Sequence, residues 1–275
     1  MTRTITEKRA AFRALHQDGC FLLPNPWDVG SARLLQHLGF KALATTSSGY
    51  AWTQGRPDYG VTRDEVLEHL RALAPATDLP VNADYEFGFA HEISDLATNV
   101  RLAVEAGVAG LSVEDIRADG QSGHYDTATA VERVRAARDA IDAVDPSAVL
   151  VARTEILLAD TSRVAEAIDK MVALADAGAD CLYAPGLVDK ADVVALVRAV
   201  APKPVNLLVM RPGPSLAEIA DWGVRRISVG GGLARAAWGG FLRAAEELRA
   251  GSFDGLAAGA SGKQLNDVFG GFSRA

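Results

Sequence analysis

Short apolar runs alternate with longer amphipathic stretches along most of the chain. The runs are FLLP at 21–24, KALATT at 41–46, PVNAD at 80–84, AGLSVED at 109–115, AVLVAR at 148–153, DCLYAP at 180–185, PVNLLV at 204–209 and RRISVG at 225–230. A segment with helical spacing separates each run from the next. Short apolar strands that recur about every 30 residues with helices between them indicate parallel βα units rather than antiparallel hairpins.

Helix-boundary signals agree with this register. Asp28 is expected to cap a helix that stops at Gly39, and Thr62 with Glu65 has the capping-box pattern. The segment 47–60 is expected to be a loop of small residues. Eight strand–helix units in a chain of 275 residues predict a (β/α)8 barrel over residues 1–251. A doubly wound open sheet is the alternative, but no G-x-G-x-x-G follows the first strand.

Composition and charge narrow the possible partners and location. The net charge of −7 and a pI near 5.3 argue against a nucleic-acid-binding face and against binding to an anionic membrane surface. The N-terminal sequence has no apolar signal core, and no run of about 18 or more uncharged apolar residues occurs. Cys20 and Cys181 stand in apolar contexts, as buried free thiols do. We therefore expect a soluble, cytoplasmic protein.

Two carboxylates follow the third predicted strand. Asp84 and Glu86 are two residues apart, so on a strand both side chains would face the same spot. Such a pair repels unless a proton or a cation lies between the carboxylates. Oxygen-only ligands favour Mg²⁺ or Mn²⁺ over zinc. The alternative is that both residues are solvated turn formers at a strand end.

Barrel enzymes build their sites at the C-terminal ends of the strands, so the strand ends supply the other candidate residues. In chain order they are Asn25, Trp27, Asp28, Ser47, Ser48, Gly49, Asp58, Asp84, Glu86, Glu114, Asp115, His124, Arg153, Glu155 and Asn206. Arginine can bind a carboxylate or phosphate through two parallel hydrogen bonds. Carboxylates beside Arg153 therefore predict a site for a cation and a small anion. Arg225 and Arg226 are expected at the surface or an interface.

These motifs, in order, resemble the isocitrate lyase/phosphoenolpyruvate mutase superfamily over nearly the whole chain. The resemblance is carried by NPWDVGSARLLQHLGFKALATTSSGYA, GRPD at 55–58, ADYEFGF, VEDI at 113–116, QSGH at 121–124, ARTE at 152–155, PVN at 204–206 and GVRRISVGGGLARAA. It implies a (β/α)8 barrel that binds Mg²⁺ together with a small 2-oxo or 2-hydroxy acid. It also implies a homotetramer in which a C-terminal helical tail, here residues 252–275, packs on a neighbouring subunit.

The resemblance also implies a metal site. Asp84 corresponds to the direct metal ligand, and Glu86 and Glu114 correspond to ligands that act through water. Asp58 stands where the family has a further water-mediated carboxylate.

The same resemblance implies roles in substrate binding. Arg153 corresponds to the arginine that grips the substrate. The remaining substrate-binding positions are Trp27, Ser47, Ser48, Gly49, Gly123, His124 and Asn206. Trp27 corresponds to an aromatic residue near the substrate. The segment 47–49 corresponds to the loop that holds the substrate carboxylate through backbone N–H groups. Gly123, His124 and Asn206 correspond to positions that bind the carboxylate of the leaving acid.

Departures from the family pattern bear on the substrate. The lyases carry a K-[KR]-C-G-H loop whose cysteine donates a proton, whereas residues 120–124 here read GQSGH. Ser122 replaces that cysteine and is a much weaker acid, although it and His124 remain the candidate catalytic groups of this segment. Pro185 stands where lyases tend to have glutamate. These differences favour oxaloacetate or another small 2-oxo diacid over isocitrate or 2-methylisocitrate. Phosphonate chemistry and non-catalytic binding of a 2-oxo acid are the alternatives.

Overall fold

The computed structural model, which describes residues 3–117 and 122–272, is a nearly closed barrel of eight parallel strands surrounded by helices. The strands are β1 Phe21–Leu23, β2 Leu43–Ala44, β3 Val81–Asp84, β4 Gly110–Glu114, β5 Val149–Arg153, β6 Cys181–Tyr183, β7 Val205–Leu208 and β8 Arg226–Ser228. Neighbours pair in chain order from β2 to β8, and β8 pairs with β1. Between β1 and β2 the Ala44 N–H donates to the Pro24 carbonyl at 3.1 Å. The predicted (β/α)8 barrel is confirmed.

Helices cover the outside of the barrel. They are α1 Ile5–Leu15, α2 Val29–His37, α3 Ser47–Thr53, α4 Arg63–Leu73, α5 Ile93–Glu105, α6 Thr127–Asp142, α7 Ile156–Ala159, α8 Val164–Asp176, α9 Lys190–Val200, α10 Leu216–Asp221, α11 Gly232–Arg249 and α12 Gly262–Phe272. Short 3-10 helices lie at Ala74–Ala76 and Asp254–Ala258. In the described ranges, no helix is long and apolar enough to cross a membrane.

Side chains cap the helices where the sequence indicates. The Asp28 carboxylate accepts from the Ser31 N–H at 2.6 Å, and the Thr62 hydroxyl accepts from the Glu65 N–H at 3.4 Å. Each bond satisfies an N–H group that has no partner within its helix. The loop expected at 47–60 is partly wrong, because α3 occupies its first half. The Thr46 hydroxyl caps α3 by accepting from the Gly49 N–H at 3.3 Å.

Helix α1 closes the N-terminal end of the barrel. Phe12 is fully buried there, and Gly110 of β4 permits its close approach because a Cβ on that glycine would lie 3.0 Å from the Phe12 ring. Arg9 holds the helix in place through an ion pair with Asp145 and a hydrogen bond to the Val108 carbonyl at 3.0 Å. With this end closed by apolar side chains, a ligand can enter the barrel from the opposite end.

The C-terminal tail contacts its own barrel. The Arg33 guanidinium of α2 lies 5.2 Å from the centre of the Phe272 ring at the end of α12. Contact of the tail with a neighbouring subunit stays a prediction, and residues 273–275 lie outside the described residues.

Candidate active site

The ends of β3, β4 and β5 meet at the Arg153 guanidinium. Its Nη1 lies 3.2 Å from Asp84 Oδ1 and 3.1 Å from Glu114 Oε2, and its Nε donates to Glu155. Arg153 and Glu114 are paired in the β4–β5 register, which brings their side chains to the same height in the barrel. The guanidinium also lies 5.3 Å from the centre of the Tyr183 ring. The structure thus joins three acidic groups and one cation at the C-terminal mouth of the barrel.

Asp84 connects this cluster to the first turn of α3. Its Oδ2 accepts from the Ser47 N–H at 3.0 Å, and its own N–H donates to the Thr45 hydroxyl at 2.8 Å. The Ser47 side chain contacts the carboxyl group of Asp58. Asp58 is an exposed residue, but loss of solvent around its carboxyl group, and then the charge of Asp84, raises its pKa above the ordinary value. Asp58 can therefore hold a proton more readily than a solvated aspartate.

Two buried glutamates lie beside Asp84, each only 2 % exposed. Both carboxylate oxygens of Glu86 and Oε1 of Glu114 lack a hydrogen-bond partner among the described residues. Burial, followed by the charge of Asp84, raises the pKa of Glu86 to about 9. Burial also raises the pKa of Glu114 to about 8, and Glu155 adds to this effect while Arg153 opposes it. These pKa values reflect negative charge that the protein alone does not neutralise.

Glu86 reaches the cluster by a route that strand alternation does not describe. Strand β3 ends at Asp84, and Glu86 has a φ of 48°, in the left-handed region. Its carbonyl oxygen accepts from the Glu114 N–H at 2.9 Å, which fixes this turn against β4. The two carboxylates are neighbours because of the turn, and not because they share one face of a strand.

The donor set around Asp84 fits a hard divalent cation. Within residues 3–117 and 122–272, no three His, Cys, Asp or Glu side chains form a complete ligand set. Mg²⁺ commonly keeps several waters and uses only one or two carboxylates, so it does not need such a set. The unpaired oxygens of Glu86 and Glu114 would accept hydrogen bonds from those waters. Both Asp84 oxygens already have partners, Oδ1 the Arg153 guanidinium and Oδ2 the Ser47 N–H, so Asp84 as the direct ligand stays a prediction. Mn²⁺ would suit the same oxygen donors.

A cavity of about 180 Å³ leads from this cluster into the barrel. Its polar lining near the mouth includes Asn25, Ser47, Ser48, Asp58, Asp84 and Arg153. Deeper in the barrel, Asn82, Ser112, Arg226 and Ser228 line it. A polar cavity of this size, charged at the mouth, suits a small organic acid.

Ser122, Gly123 and His124, the described candidates after β4, do not line this cavity. Ser122 and Gly123 are exposed, and His124 lines a second cavity of about 360 Å³ together with Arg163 and Lys170. Burial lowers the pKa of His124 below its ordinary value. The roles predicted for Ser122, Gly123 and His124 stay predictions.

Three other candidates, Trp27, Gly49 and Asn206, do not line the cavity and lie around it. Trp27 packs behind α3, since a Cβ on Gly49 would stand 3.1 Å from the Trp27 Cβ. Asn206 is 2 % exposed and lies below the mouth, where its amide donates to the Ser228 hydroxyl at 3.0 Å. These positions favour support of the site over direct contact with a ligand.

Sequence reasoning missed several residues of the site. Arg226 was expected at the surface or an interface and is instead 2 % exposed inside the barrel, which corrects that expectation. Alternate residues of a strand face the same side, so Arg226 and Ser228 of β8 both face the interior of the barrel. This alternation could have predicted the position of Arg226. The Tyr59 hydroxyl contacts Glu114, and Tyr183 lines the cavity.

Lys170 was missed as well. It is 2 % exposed, and its ammonium group forms an ion pair with Asp115 at 2.5 Å. On α8 it shares a buried face with Ala167, Met171 and Leu174. A lysine among apolar positions of a helix does not by itself indicate a buried charge, so the sequence pattern did not predict it.

The fold and the site define a (β/α)8 protein with acidic groups and an arginine at the C-terminal mouth. The chain belongs to the phosphoenolpyruvate phosphomutase family, whose model matches residues 12–249. It is 30% identical over 229 residues to the 2-methylisocitrate lyase of Halalkalibacterium halodurans, covering 82% of this chain and 72% of that protein. It is 31% identical over 229 residues to the oxaloacetate decarboxylase of Chromohalobacter salexigens, covering 79% and 77%.

Solved structures give the same assignment. One from Burkholderia cenocepacia J2315, described as a lyase/mutase, has a TM-score of 0.93 and 46% identity, with 97% of each chain covered. The structure of 2,3-dimethylmalate lyase has a TM-score of 0.85 and 26% identity, covering 100% of this chain and 97% of that one. The resemblance to the isocitrate lyase/phosphoenolpyruvate mutase superfamily is confirmed, and the chain is a member of an enzyme superfamily of lyases and mutases.

Proposed function

We propose that this protein is a Mg²⁺-dependent lyase that breaks a carbon–carbon bond in a small 2-oxo or 2-hydroxy acid with two or more carboxylates. The observation that carries the proposal is the Arg153 guanidinium, held by Asp84 and Glu114 above a polar cavity. The names of the lyase and decarboxylase relatives support the reaction class. Oxaloacetate or a similar 2-oxo diacid is the substrate that we favour, because Ser122 replaces the cysteine of the lyases.

The residues divide into two groups in this proposal. Asp84, Glu86 and Glu114 would hold the cation, directly or through water. Arg153 would donate hydrogen bonds to the carboxylate of the substrate. Ser47 and Ser48, in the first turn of α3, face the same cavity and would complete that binding site.

Cleavage next to a carbonyl leaves an enolate, and its negative charge appears only as the bond breaks. Groups that stabilise this charge accelerate the reaction because they act on the transition state more than on the substrate. The bound cation supplies Lewis-acid stabilisation of that charge. Arg153 is fixed beforehand by its carboxylate partners, so it needs little reorganisation when the charge develops. Asp58, whose pKa is raised, is placed to exchange a proton at the mouth.

A panel assay tests the proposal. The purified full chain is incubated with oxaloacetate, isocitrate, 2-methylisocitrate, 2,3-dimethylmalate or phosphonopyruvate, with Mg²⁺ or with EDTA, and products are identified by ¹H and ³¹P nuclear magnetic resonance. We expect carbon–carbon cleavage of at least one diacid that requires Mg²⁺. Release of phosphate or rearrangement of phosphonopyruvate would instead support phosphonate chemistry. Thermal stabilisation by a diacid without any product would support a binding protein.

We also propose that the protein assembles into a homotetramer. In the 18-residue helix α11 only Ala234 is buried, while Phe241 and Leu242 are 61% and 56% exposed. A cavity of about 670 Å³ beside them is lined largely by apolar groups, Trp52 and Trp238 among them. Apolar surface of this kind marks contact sites. Light scattering after gel filtration tests the proposal, with a monomeric mass as the contrary result and Phe241→Asp as the variant expected to dissociate.

A further inference from the structure

Arg226 is a buried cation inside the barrel that the proposed chemistry does not yet use. It begins β8 and is paired in register with Asn206 of β7 and Phe21 of β1. Its side chain lines the inner part of the cavity whose mouth carries Asp84 and Arg153. One continuous cavity therefore has a guanidinium at its mouth and another at its inner end.

The side chains that bind Arg226 are neutral. Its Nε donates to Asn206 Oδ1 at 2.8 Å, and its Nη1 lies 3.5 Å from Asn82 Oδ1. Both amides are fixed in this orientation, because the Asn206 NH₂ donates to Ser228 at 3.0 Å and the Asn82 NH₂ donates to the Ala83 carbonyl at 3.0 Å. The guanidinium can only donate, so both amides present their oxygens to it.

The third neighbour of Arg226 is His16, and the hydrogen bonds of its ring show that it is neutral. Its Nδ1 lies 2.7 Å from the Phe12 carbonyl, which can only accept, so Nδ1 carries the proton. Nε2 lies 3.4 Å from Arg226 Nη1, which can only donate, so Nε2 accepts and carries no proton. Burial, and then the charge of Arg226, lowers the pKa of His16 to about 3, which agrees with a neutral ring.

The charge of Arg226 is therefore not balanced by the part of the protein that the structure describes. No aspartate or glutamate in those ranges forms an ion pair with it, and beyond burial the groups that act on its pKa are Cys181 and Tyr183. An unpaired buried charge is costly, whereas a buried charge with a hydrogen-bonded partner is tolerated. Since Arg226 faces a cavity, a ligand can supply the missing negative charge.

Tyr183 relates the two ends of the cavity. The centre of its ring lies 5.3 Å from the Arg153 guanidinium, and its hydroxyl contacts Ser228, two residues after Arg226. An acid that binds Arg153 with one carboxylate can thus extend along Tyr183 toward Arg226. A ligand with a methyl group at its far end would instead leave the cation unpaired.

We propose that Arg226 is a specificity-determining residue that pairs with the second carboxylate of the substrate, at the inner end of the cavity. This inference rests on the proposed function and adds to it the group that selects diacids over monoacids. Arg153 would bind the carboxylate at the mouth, and Arg226 would bind the carboxylate at the other end of the substrate.

The test compares malate with 2-hydroxybutyrate, which has a methyl group in place of the second carboxylate. Isothermal titration calorimetry on the full chain with saturating Mg²⁺ measures both dissociation constants. We expect the wild type to prefer malate by at least ~10-fold, as one charge-assisted hydrogen bond provides. Arg226→Gln should remove this preference and leave the affinity for 2-hydroxybutyrate within about threefold, and Arg226→Lys should retain part of the preference.

Asn206→Asp serves as a second variant in case Arg226→Gln does not fold. The new carboxylate would neutralise Arg226 within the protein, so the preference for malate should disappear although the arginine is intact. Equal affinity of the wild type for both acids, or an unchanged ratio in the folded variants, would overturn the role of Arg226 and leave the proposed lyase function standing. Failure of the wild type to bind either acid would overturn both.

Discussion

The ion pair between Lys170 and Asp115 allows a direct test of how the mouth of the barrel is held together. The ammonium group lies 2.5 Å from Asp115 and also donates to the Tyr125 carbonyl at 2.5 Å. The Asp115 carboxylate accepts in addition from the Thr154 hydroxyl at 2.7 Å and from the Glu155 N–H at 2.8 Å. One buried pair thus joins the ends of β4 and β5 to α8.

Replacing Lys170 by Met leaves the Asp115 carboxylate buried without its cation. Removing one partner of a buried pair costs about 3–5 kcal/mol of unfolding free energy. In a domain of this size that corresponds to a melting temperature lower by roughly 6–15 °C. Because Glu155 is a partner of Arg153, activity should fall as well. Denaturation in urea, followed by circular dichroism, measures the change.

Lys263 offers a matched control. It pairs with Asp267 at 2.6 Å, nearly the same distance, but its side chain is 86% exposed. The same change, Lys263→Met, should cost only about 0.3–0.5 kcal/mol. In the Lys170→Met background, Asp115→Asn should restore part of the lost stability, because it removes the stranded charge. A loss below about 1 kcal/mol for Lys170→Met, or no recovery in the double variant, would refute the reasoning.

Three further predictions concern the site and its support. Asp84→Ala should lower turnover at least ~100-fold at saturating Mg²⁺, as expected for the loss of an electrostatic stabiliser. Asp221 is exposed, and Asp221→Ala should leave turnover unchanged. Near-normal turnover of Asp84→Ala would refute the assignment of Asp84 as the metal ligand. The pKa of His16 is about 3 in the folded protein and 6.5 in the unfolded chain, so the unfolded chain binds more protons between these two pH values. The free energy of unfolding should therefore fall as the pH is lowered from 6.5, by at most ~1.4 kcal/mol per pH unit. Unfolding measured between pH 4 and 7 should give a flatter profile for His16→Gln, and identical slopes would contradict this. Gly49→Ala should lower stability and activity, because the new Cβ would lie 2.5 Å from the Thr46 Cγ2. The control variant Gly271→Ala places its Cβ in open space and should be neutral or stabilising by up to ~1 kcal/mol. Equal melting temperatures of the two variants would argue against the steric explanation.

The sequence alone was sufficient for the barrel and for the members of its acidic cluster. Parallel strands must expose their C-terminal ends on one side of a barrel, so local signals at Asp84, Glu114 and Arg153 already implied a shared location. Capping residues such as Asp28 and Thr62 act through bonds three residues away, and such local chemistry is readable in a linear chain.

Tertiary structure decided what depends on packing between distant segments. The turn at Glu86 is fixed by the backbone of β4, the helix that begins at Ser47 is too short for a periodic pattern, and Lys170 is buried because Asp115 of another unit receives its charge. The sequence placed Arg226 at the surface because charge usually belongs there. Only the closed barrel shows its neutral partners and the cavity it faces, since both come from strands far apart in the chain.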